Sequence, residues 1–328
     1  MIPSAAITAW GVDHPWPSRA AIEQDLLLAR LIVAIYSNVA LADELVFRGG
    51  TCLHQLHLPR PLRYSEDLDF VRRSNDGIGP VFDALREVAA QIGLDVAATD
   101  IREIPKMRLR AAASDEPATT LRVKIEINTY ETSPARELRR LAFDVNNSWF
   151  AGAAQVLTFD PAELVATKLR ALYQRKKGRD LFDLWLALTE LALDPNVIVE
   201  CFEPYRPPGY TSRLATANLR AKAADQAFRT DLDLLVYPWP AGYDIDVAAD
   251  LVITELLERL WNAGSRSRPP PPAAPDLFGH PVPPVRASAR SVRATRCDAV
   301  DTRCGGRTGD LLSSTESLCV SSDESCAE

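Results

Sequence analysis

Residues 47–70 read FRGGTCLHQLHLPRPLRYSEDLDF, and the fold prediction starts from this stretch. A short apolar run at 45–47 precedes the diglycine and predicts a strand at 45–48. The segment 66–72 alternates apolar and polar side chains, which is also typical of a strand. Side chains two positions apart on a strand project from the same face of a sheet. Asp67 and Asp69 are therefore expected to project together.

This pair of carboxylates predicts a cation site next to a phosphate site. Two adjacent carboxylates repel each other unless a cation lies between them, and Mg²⁺ prefers hard oxygen ligands and substrate phosphates. Gly49 and Gly50 allow the backbone to approach a ligand closely. A helix predicted at 50–57 would direct free N–H groups at a phosphate, and Thr51 adds a hydroxyl donor. The combination suggests nucleotidyl transfer from a nucleoside triphosphate.

A second strand signal lies further along the chain. The segments 107–113 and 120–130 flank a turn at 114–117 and are predicted to pair as antiparallel strands. The second segment alternates strictly, which places Glu126 on a polar face together with Arg122, Lys124 and Asn128. Taken from the strand alone, Glu126 belongs to a solvated face and pairs with a neighbouring cation.

The second half of the chain reads as helical. Asp160, Pro161 and Glu163 form a good helix start, and the helix they begin contains Lys168. A basic connector at 174–179 ends this helix, and the next begins at Asp180. In that helix Arg179 and Asp183 are four residues apart, a spacing at which they could form an ion pair. Basic residues at the end of one helix and Asp at the start of the next are also ordinary capping chemistry.

Two groups of residues, in this order on one chain, resemble the AbiEii toxin family. The first is Gly49-Gly50-Thr51 followed by the segment 63–70, and the second is Glu163-Leu164 with Lys168, Arg175, Arg179-Asp180 and Asp183. The resemblance covers roughly residues 20–261. It implies a nucleotidyltransferase-like toxin of a bacterial toxin–antitoxin or phage-abortive system, related to the DNA polymerase β superfamily.

The resemblance also implies an architecture. The fold class is α/β (α+β), with a nucleotidyltransferase-fold mixed sheet and flanking helices, followed by a helical domain and a disordered C-terminal tail. The expected organisation is an irregular lead-in at 1–18, a nucleotidyltransferase domain at 19–158, a helical domain at 159–262 and a disordered tail at 263–328. The tail is rich in Pro, Ser, Arg and Asp and lacks apolar periodicity, so it cannot offset its ordering entropy.

By the same resemblance, each candidate site residue receives a role. Gly49, Gly50, Thr51 and Ser65 are expected to hold the nucleoside triphosphate. One or two Mg²⁺ ions are expected on Asp67, Asp69 and Glu126, and Glu126 alternatively helps to deprotonate the attacking hydroxyl. Lys168 would neutralise the triphosphate or the charge developing at phosphorus. Asp180 would lie at the rim of the site and orient Lys168 or the acceptor hydroxyl.

The residues themselves do not identify the acceptor of the nucleotidyl group. The resemblance implies a tRNA 3′ end as the acceptor and a separately encoded antitoxin as a partner. A small-molecule, antibiotic-type nucleotidyltransferase is an alternative, as is a protein nucleotidyltransferase. A third alternative is a non-catalytic module that binds a nucleotide or a partner, and the intact pair of Asp67 and Asp69 argues against it.

Composition and charge bear on the expected partners and cellular compartment of the protein. The 328 residues contain 37 Lys and Arg against 44 Asp and Glu, a net charge of −7 that disfavours broad electrostatic attraction to nucleic acid but allows a local basic groove. No apolar run is long enough to span a bilayer and no signal peptide is evident, so a cytoplasmic protein without membrane contact is expected. Cys52 and Cys201 are expected to be buried, while the other four cysteines lie in the tail.

Overall fold

A mixed sheet of seven strands organises the chain. In the computed structural model, which describes residues 1–263, the strand order is β3-β4-β5-β2-β1-β7-β6. Two neighbouring pairs, β2 with β5 and β1 with β7, are parallel, and the other pairs are antiparallel. The strands are β1 (Leu45–Arg48), β2 (Asp67–Arg72), β3 (Asp95–Asp100), β4 (Lys106–Ala112), β5 (Thr120–Asn128), β6 (Arg139–Asn146) and β7 (Ala151–Thr158).

Helices precede, interrupt and follow the sheet. The first five are α1 (Ser4–Asp13), α2 (Arg19–Ser37), α3 (Val39–Ala42), α4 (Gly49–Cys52) and α5 (Gly79–Gln91), and a π-helical turn, Leu53–His57, continues α4. After β7 the described chain is helical: α6 (Pro161–Gln174), α7 (Gly178–Thr189), α8 (Pro195–Phe202), α9 (Ser212–Ala223), α10 (Gln226–Arg229), α11 (Ile245–Val252) and α12 (Glu258–Ala263). None of the helices within residues 1–263 combines the length and apolar character needed to cross a bilayer.

Side-chain caps begin α2, which packs on the sheet, and α6, which carries Lys168. Ser18 accepts a hydrogen bond from the backbone N–H of Ala21 and begins α2, whose apolar face packs on the sheet. Asp160 accepts from the N–H of Ala162 and begins α6, with Pro161 at the first helical position. The cap at Asp160 fixes where α6 begins and therefore where Lys168 lies.

Alternation along β5 separates the core from the functional face. Leu121, Val123, Ile125 and Ile127 are buried, while the residues between them are exposed or half-buried. Burying one apolar face fixes strand register, because a shift by one residue would move every apolar side chain to the wrong face. Packing of the core therefore specifies the register of β5 against β2 and β4. The same register determines which polar side chains lie next to each other on the opposite face.

The expected fold class is confirmed by this mixed sheet with its flanking helices. The lead-in, however, is not irregular as expected, because Ser4–Asp13 forms α1. The helical periodicity of this segment is not visible in the sequence, because Ala5, Ala9 and Val12 are apolar but exposed. Apolar residues therefore do not mark the buried side of the helix. The tail predicted to be disordered lies outside the described residues apart from residue 263, and so do its four cysteines.

Candidate active site

Three carboxylates meet on the polar face of β2 and β5. The two strands are parallel, and Asp69 lies directly beside Glu126 while Asp67 lies beside Lys124. Residues paired in this way project from the same face of the sheet. The sequence prediction that Asp67 and Asp69 project together therefore extends to Glu126, and the register gives the reason.

Gly49 allows this cluster to approach the backbone of β1. Its φ is +85°, and a Cβ there would overlap Oδ2 of Asp69 and lie 2.9 Å from its Cβ and Cγ. A side chain is therefore excluded both by backbone conformation and by space. At Gly50 a Cβ would instead overlap the guanidinium of Arg63. The two glycines thus pack against different groups.

Lys124 lies between two of the carboxylates. Its ammonium is 2.8 Å from Oδ2 of Asp67 and 3.1 Å from Oε1 of Glu126, and Lys106 lies 3.3 Å from the same oxygen of Glu126. These are the ion pairs that the solvated-face interpretation of Glu126 expects. Burial opposes the charge on Lys124, but its bonds to Asp67 and then to Glu126 raise its pKa overall.

The pKa values of Asp69 and Glu126 are shifted in opposite directions. Burial raises the pKa of Asp69; Lys168 counteracts this, while the nearby negative charges of Glu126 and Asp67 favour the neutral acid again. For Glu126 burial also favours the neutral acid, but Lys124 and Lys106 lower its pKa below the ordinary value. Glu126 is therefore held as an anion, whereas Asp69 has the greater affinity for a proton.

A cleft of about 270 Å³ opens beside these carboxylates. Its lining combines the acidic Asp69 and Glu126 with cationic side chains from β1 and α6 and the residue that follows α6, namely Arg48, Lys168, Arg170 and Arg175. Gly49 also lines the cleft. A cavity with acids on one strand pair and cations on the opposing helix suits a substrate with several phosphates, because the cations neutralise charge that the acids cannot.

A buried ionic network fixes Lys168. Its ammonium is 2.9 Å from Oδ2 of Asp183 and 3.9 Å from Oδ1 of Asp180. Asp183 is fully buried and also accepts two hydrogen bonds from Arg63, at 2.7 and 2.8 Å. Burial favours the neutral acid, but Arg63 and then Lys168 hold the pKa of Asp183 well below its usual range. The network joins the loop before β2 to α6 and α7.

His54 completes the network as a neutral ring. Its Nδ1 accepts from the backbone N–H groups of Leu62 and Arg63, so the ring proton is on Nε2 and is donated to Asp183 over 3.0 Å. Burial lowers the pKa of His54 to about 4. His54 therefore holds the loop that precedes β2, a role that sequence reasoning did not assign to it.

Asp180 has a further partner, and Arg179 has a partner other than the suggested one. Asp180 is fully buried and accepts two hydrogen bonds from Arg175, at 2.6 and 2.7 Å. The suggested pairing of Arg179 with Asp183 is wrong: Arg179 donates to Asp231, whereas Asp183 is turned inward to the network. Helical spacing allows a contact, but burial of Asp183 decides which cation it meets.

The remaining predicted nucleotide contacts are occupied by internal bonds. The hydroxyl of Thr51 is 2.5 Å from the carbonyl oxygen of Asp67 and 2.9 Å from the hydroxyl of Ser65. Thr51 is buried, and neither it, Gly50 nor Ser65 lines the cleft. These bonds tie α4 to the start of β2 and so position Asp67. Nucleotide binding by Gly50, Thr51 and Ser65 stays a prediction.

The donor set fits a hard divalent cation. Within residues 1–263 no three His, Cys, Asp or Glu side chains already form a metal cage. Asp67, Asp69 and Glu126 nevertheless bring carboxylate oxygens, the ligands that Mg²⁺ prefers, to adjacent positions of two strands. Asp67 and Glu126 already share one cation, Lys124, and burial disfavours the charged form of Asp69. A divalent ion here would compete with Lys124 for Asp67 and Glu126.

Comparison with known families decides the identity of this arrangement. The profile of the family described as "Nucleotidyl transferase AbiEii toxin, Type IV TA system" matches residues 30–251. The chain belongs to this family. The AbiEii match covers β1 to β7, the cleft and the buried network, and the resemblance expected from the sequence is confirmed. As an AbiEii protein the chain is a nucleotidyltransferase toxin with an antitoxin as its counterpart.

Two solved structures were matched to the chain, and one of them supports its fold. MenT4, a nucleotidyltransferase toxin from Mycobacterium tuberculosis H37Rv, superposes with a TM-score of 0.59 at 19% identity, covering 81% of this chain and 93% of that one. JHP933 from Helicobacter pylori matches with a TM-score of 0.47 at 17% identity, covering 76% and 96%. A comparison with curated proteins found no match. The likeness to MenT4 supports a shared fold for the AbiEii chain.

Proposed function

We propose that this AbiEii protein transfers a nucleoside monophosphate from a nucleoside triphosphate to the 3′ end of tRNA, with Mg²⁺ bound at Asp67, Asp69 and Glu126. One observation carries the proposal: Asp69 and Glu126 are neighbours on parallel strands and line a cleft that also contains Lys168. Asp67 lies two residues before Asp69 on the same strand. Acids and a fixed cation in one cleft suit transfer of a charged phosphoryl centre.

The reaction we propose is an in-line displacement at the α-phosphorus. The acceptor hydroxyl oxygen forms a bond to the α-phosphorus, and the bond from that phosphorus to the bridging oxygen of the β-phosphate breaks, so pyrophosphate leaves. The hydroxyl proton passes to a carboxylate of the cluster. When bound, Mg²⁺ would supply charge neutralisation at the phosphates.

Lys168 and its buried partners serve this reaction from the helical side. Lys168 is almost fully buried and held by Asp183, so its ammonium is fixed before the substrate arrives. A preorganised charge needs no rearrangement when negative charge develops at the transferred group. We assign Lys168 to charge stabilisation and Asp180 to holding Arg175 at the cleft. We place this activity in the cytoplasm, where tRNA and nucleoside triphosphates are found together.

The acceptor is tested by incubating the full-length protein with Mg²⁺, each α-labelled nucleoside triphosphate in turn and total bacterial tRNA. Periodate-oxidised tRNA, which lacks the terminal diol, is the matched acceptor control, and Asp69→Asn is the matched enzyme control. We expect label on intact tRNA only, and only with the wild type. Label on a protein band or a small hydroxyl compound instead of tRNA would reject tRNA as the acceptor and keep the chemistry.

A further inference from the structure

A second basic surface lies on the same sheet face, outside the cleft. It consists of Arg108 and Arg110 on β4 with Arg122 and Lys124 on β5, and we call it the basic groove. The groove has a volume of about 720 Å³, and Asp67 and Glu66 also line it. Asp67 belongs to the carboxylate cluster, so the groove begins at the active site.

Strand register places these cations opposite one another. Arg108 lies directly across from Lys124, and Arg110 directly across from Arg122. Like charges at directly opposed positions destabilise a sheet. Arg108, Arg110 and Arg122 are exposed and form no ion pair within the described part of the chain, whereas Lys124 is bonded to Asp67 and Glu126. Folding alone thus gives no reason for three unpaired guanidinium groups here.

The geometry points to a ligand with repeated negative charges. Residues two apart on a strand are about 7 Å apart, so Arg108 and Arg110 form two successive steps leading away from Asp67. Cations spaced in this way are suited to bind several phosphates along a chain rather than a single small anion. The row is also local, since the whole sequence has a net charge of −7. Guanidinium groups are suited to phosphate because they present several donors in a planar fork.

We propose that the basic groove binds the sugar–phosphate backbone of the RNA acceptor and delivers its 3′ end to the carboxylate cluster. The proposal rests on the proposed function, because it concerns the acceptor of that same reaction. It assigns Arg108, Arg110 and Arg122 to acceptor binding. These side chains lie on the sheet face, whereas the cations of the cleft come from β1, α6 and the residue after α6.

The test is a binding measurement that requires no catalysis. Anisotropy of 5′-fluorescein-labelled total tRNA is measured without nucleotide over a range of salt concentrations, using the full-length protein. The groove variant is R108Q/R110Q/R122Q. The control variant is R60Q/R213Q/R220Q, which removes three exposed arginines that form no ion pair within residues 1–263 and lie elsewhere.

We expect the groove variant to bind tRNA about tenfold or more weakly, and its plot of log affinity against log salt to be less steep by about 2, from three lost phosphate contacts. The control variant should keep both values. Because the groove variant loses opposed like charges, its Tm should be equal to or above that of the wild type. A fall in binding with a retained Tm therefore reports lost contacts rather than misfolding.

Several results would overturn the proposal. Wild-type affinity in the groove variant would do so, as would an equal loss in both variants or no tRNA binding by the wild type. An acidic protein segment is the competing ligand: binding of poly-L-glutamate that the groove variant loses, with tRNA binding unchanged, would reject RNA in its favour. If the wild type binds tRNA through the groove but transfers no label, the groove stands and the proposed chemistry fails.

Discussion

Replacing Gly49 by Ala should inactivate the enzyme by displacing Asp69. The φ of +85° at Gly49 costs an alanine about 1–2 kcal/mol. The new Cβ would also lie 2.9 Å from Cβ and Cγ of Asp69. Restoring ordinary carbon separations of roughly 3.5–4.0 Å requires a shift of about 0.6–1.1 Å. A displacement of about 1 Å at a reacting group costs on the order of 100-fold in rate, or about 2.7 kcal/mol.

Gly93 provides the matched control. Its φ is +78°, and a Cβ there would meet nothing within 4 Å. Gly93→Ala therefore carries the same backbone cost without any contact to Asp69. Urea unfolding should show a backbone loss of about 1–2 kcal/mol in both variants and a further loss of about 1–3 kcal/mol from overpacking in Gly49→Ala only, and label transfer should be lost only in Gly49→Ala. Full transfer by Gly49→Ala, or an equal loss in Gly93→Ala, would refute the reasoning.

Three further perturbations follow from the charges around the site. Asp183→Asn removes the closest anion of the buried Arg63 and Lys168, so the free energy of unfolding in urea should fall by about 3–5 kcal/mol. Protonation of His54 is disfavoured in the fold, where its pKa is about 4 against 6.5 when unfolded, so stability should fall by about 3 kcal/mol as the pH drops from 6.5 to 4. Lys124→Gln removes the cation that competes with a metal, so calorimetry should show Mn²⁺ binding about tenfold more tightly, about 1.4 kcal/mol.

Each of these three perturbations has a matched control variant of the same protein. Asp246→Asn breaks an exposed pair with Arg229 and should leave stability nearly unchanged; a loss as large as that of Asp183→Asn would count against the buried network. In His54→Asn the free energy of unfolding should fall less between pH 6.5 and 4, because the contribution of His54 is lost. If it falls as steeply as in the wild type, groups other than His54 cause the dependence on pH. Lys106→Gln, which loses a contact to Glu126 alone, should tighten Mn²⁺ binding less than Lys124→Gln does.

The sequence allowed the strands and the nearby carboxylates to be predicted, because those features are local. Alternation predicted β2 and β5 closely, and the apolar face of β5 fixed its register. The meeting of Asp69 with Glu126 needed in addition that the two strands be neighbours and parallel. Alternation gives no information about which strands pair, and the family resemblance supplied that step.

The buried network could not be predicted in the same way. Arg63 and Asp183 are 120 positions apart, and each taken alone looks like an ordinary charged surface residue. Helical spacing even favoured Arg179 as the partner of Asp183, since it expresses distance along one helix and not burial. Pro59 and Pro61, which flank Arg60, gave no sign that Arg63 turns inward. Contacts of this kind depend on how α7 packs against the loop before β2.

Nucleotidyl transfer at Asp69 and Glu126 is the central claim, and the position of the transferred label tests it most directly. The wild type, Asp69→Asn and Glu126→Gln are incubated with Mg²⁺, tRNA and the preferred nucleoside triphosphate, labelled at the α-phosphate in one series and the γ-phosphate in the other. We predict α-label on tRNA with γ-label in released pyrophosphate for the wild type, and neither for the variants. The γ-label on the acceptor, or unchanged transfer by Asp69→Asn, would contradict the account.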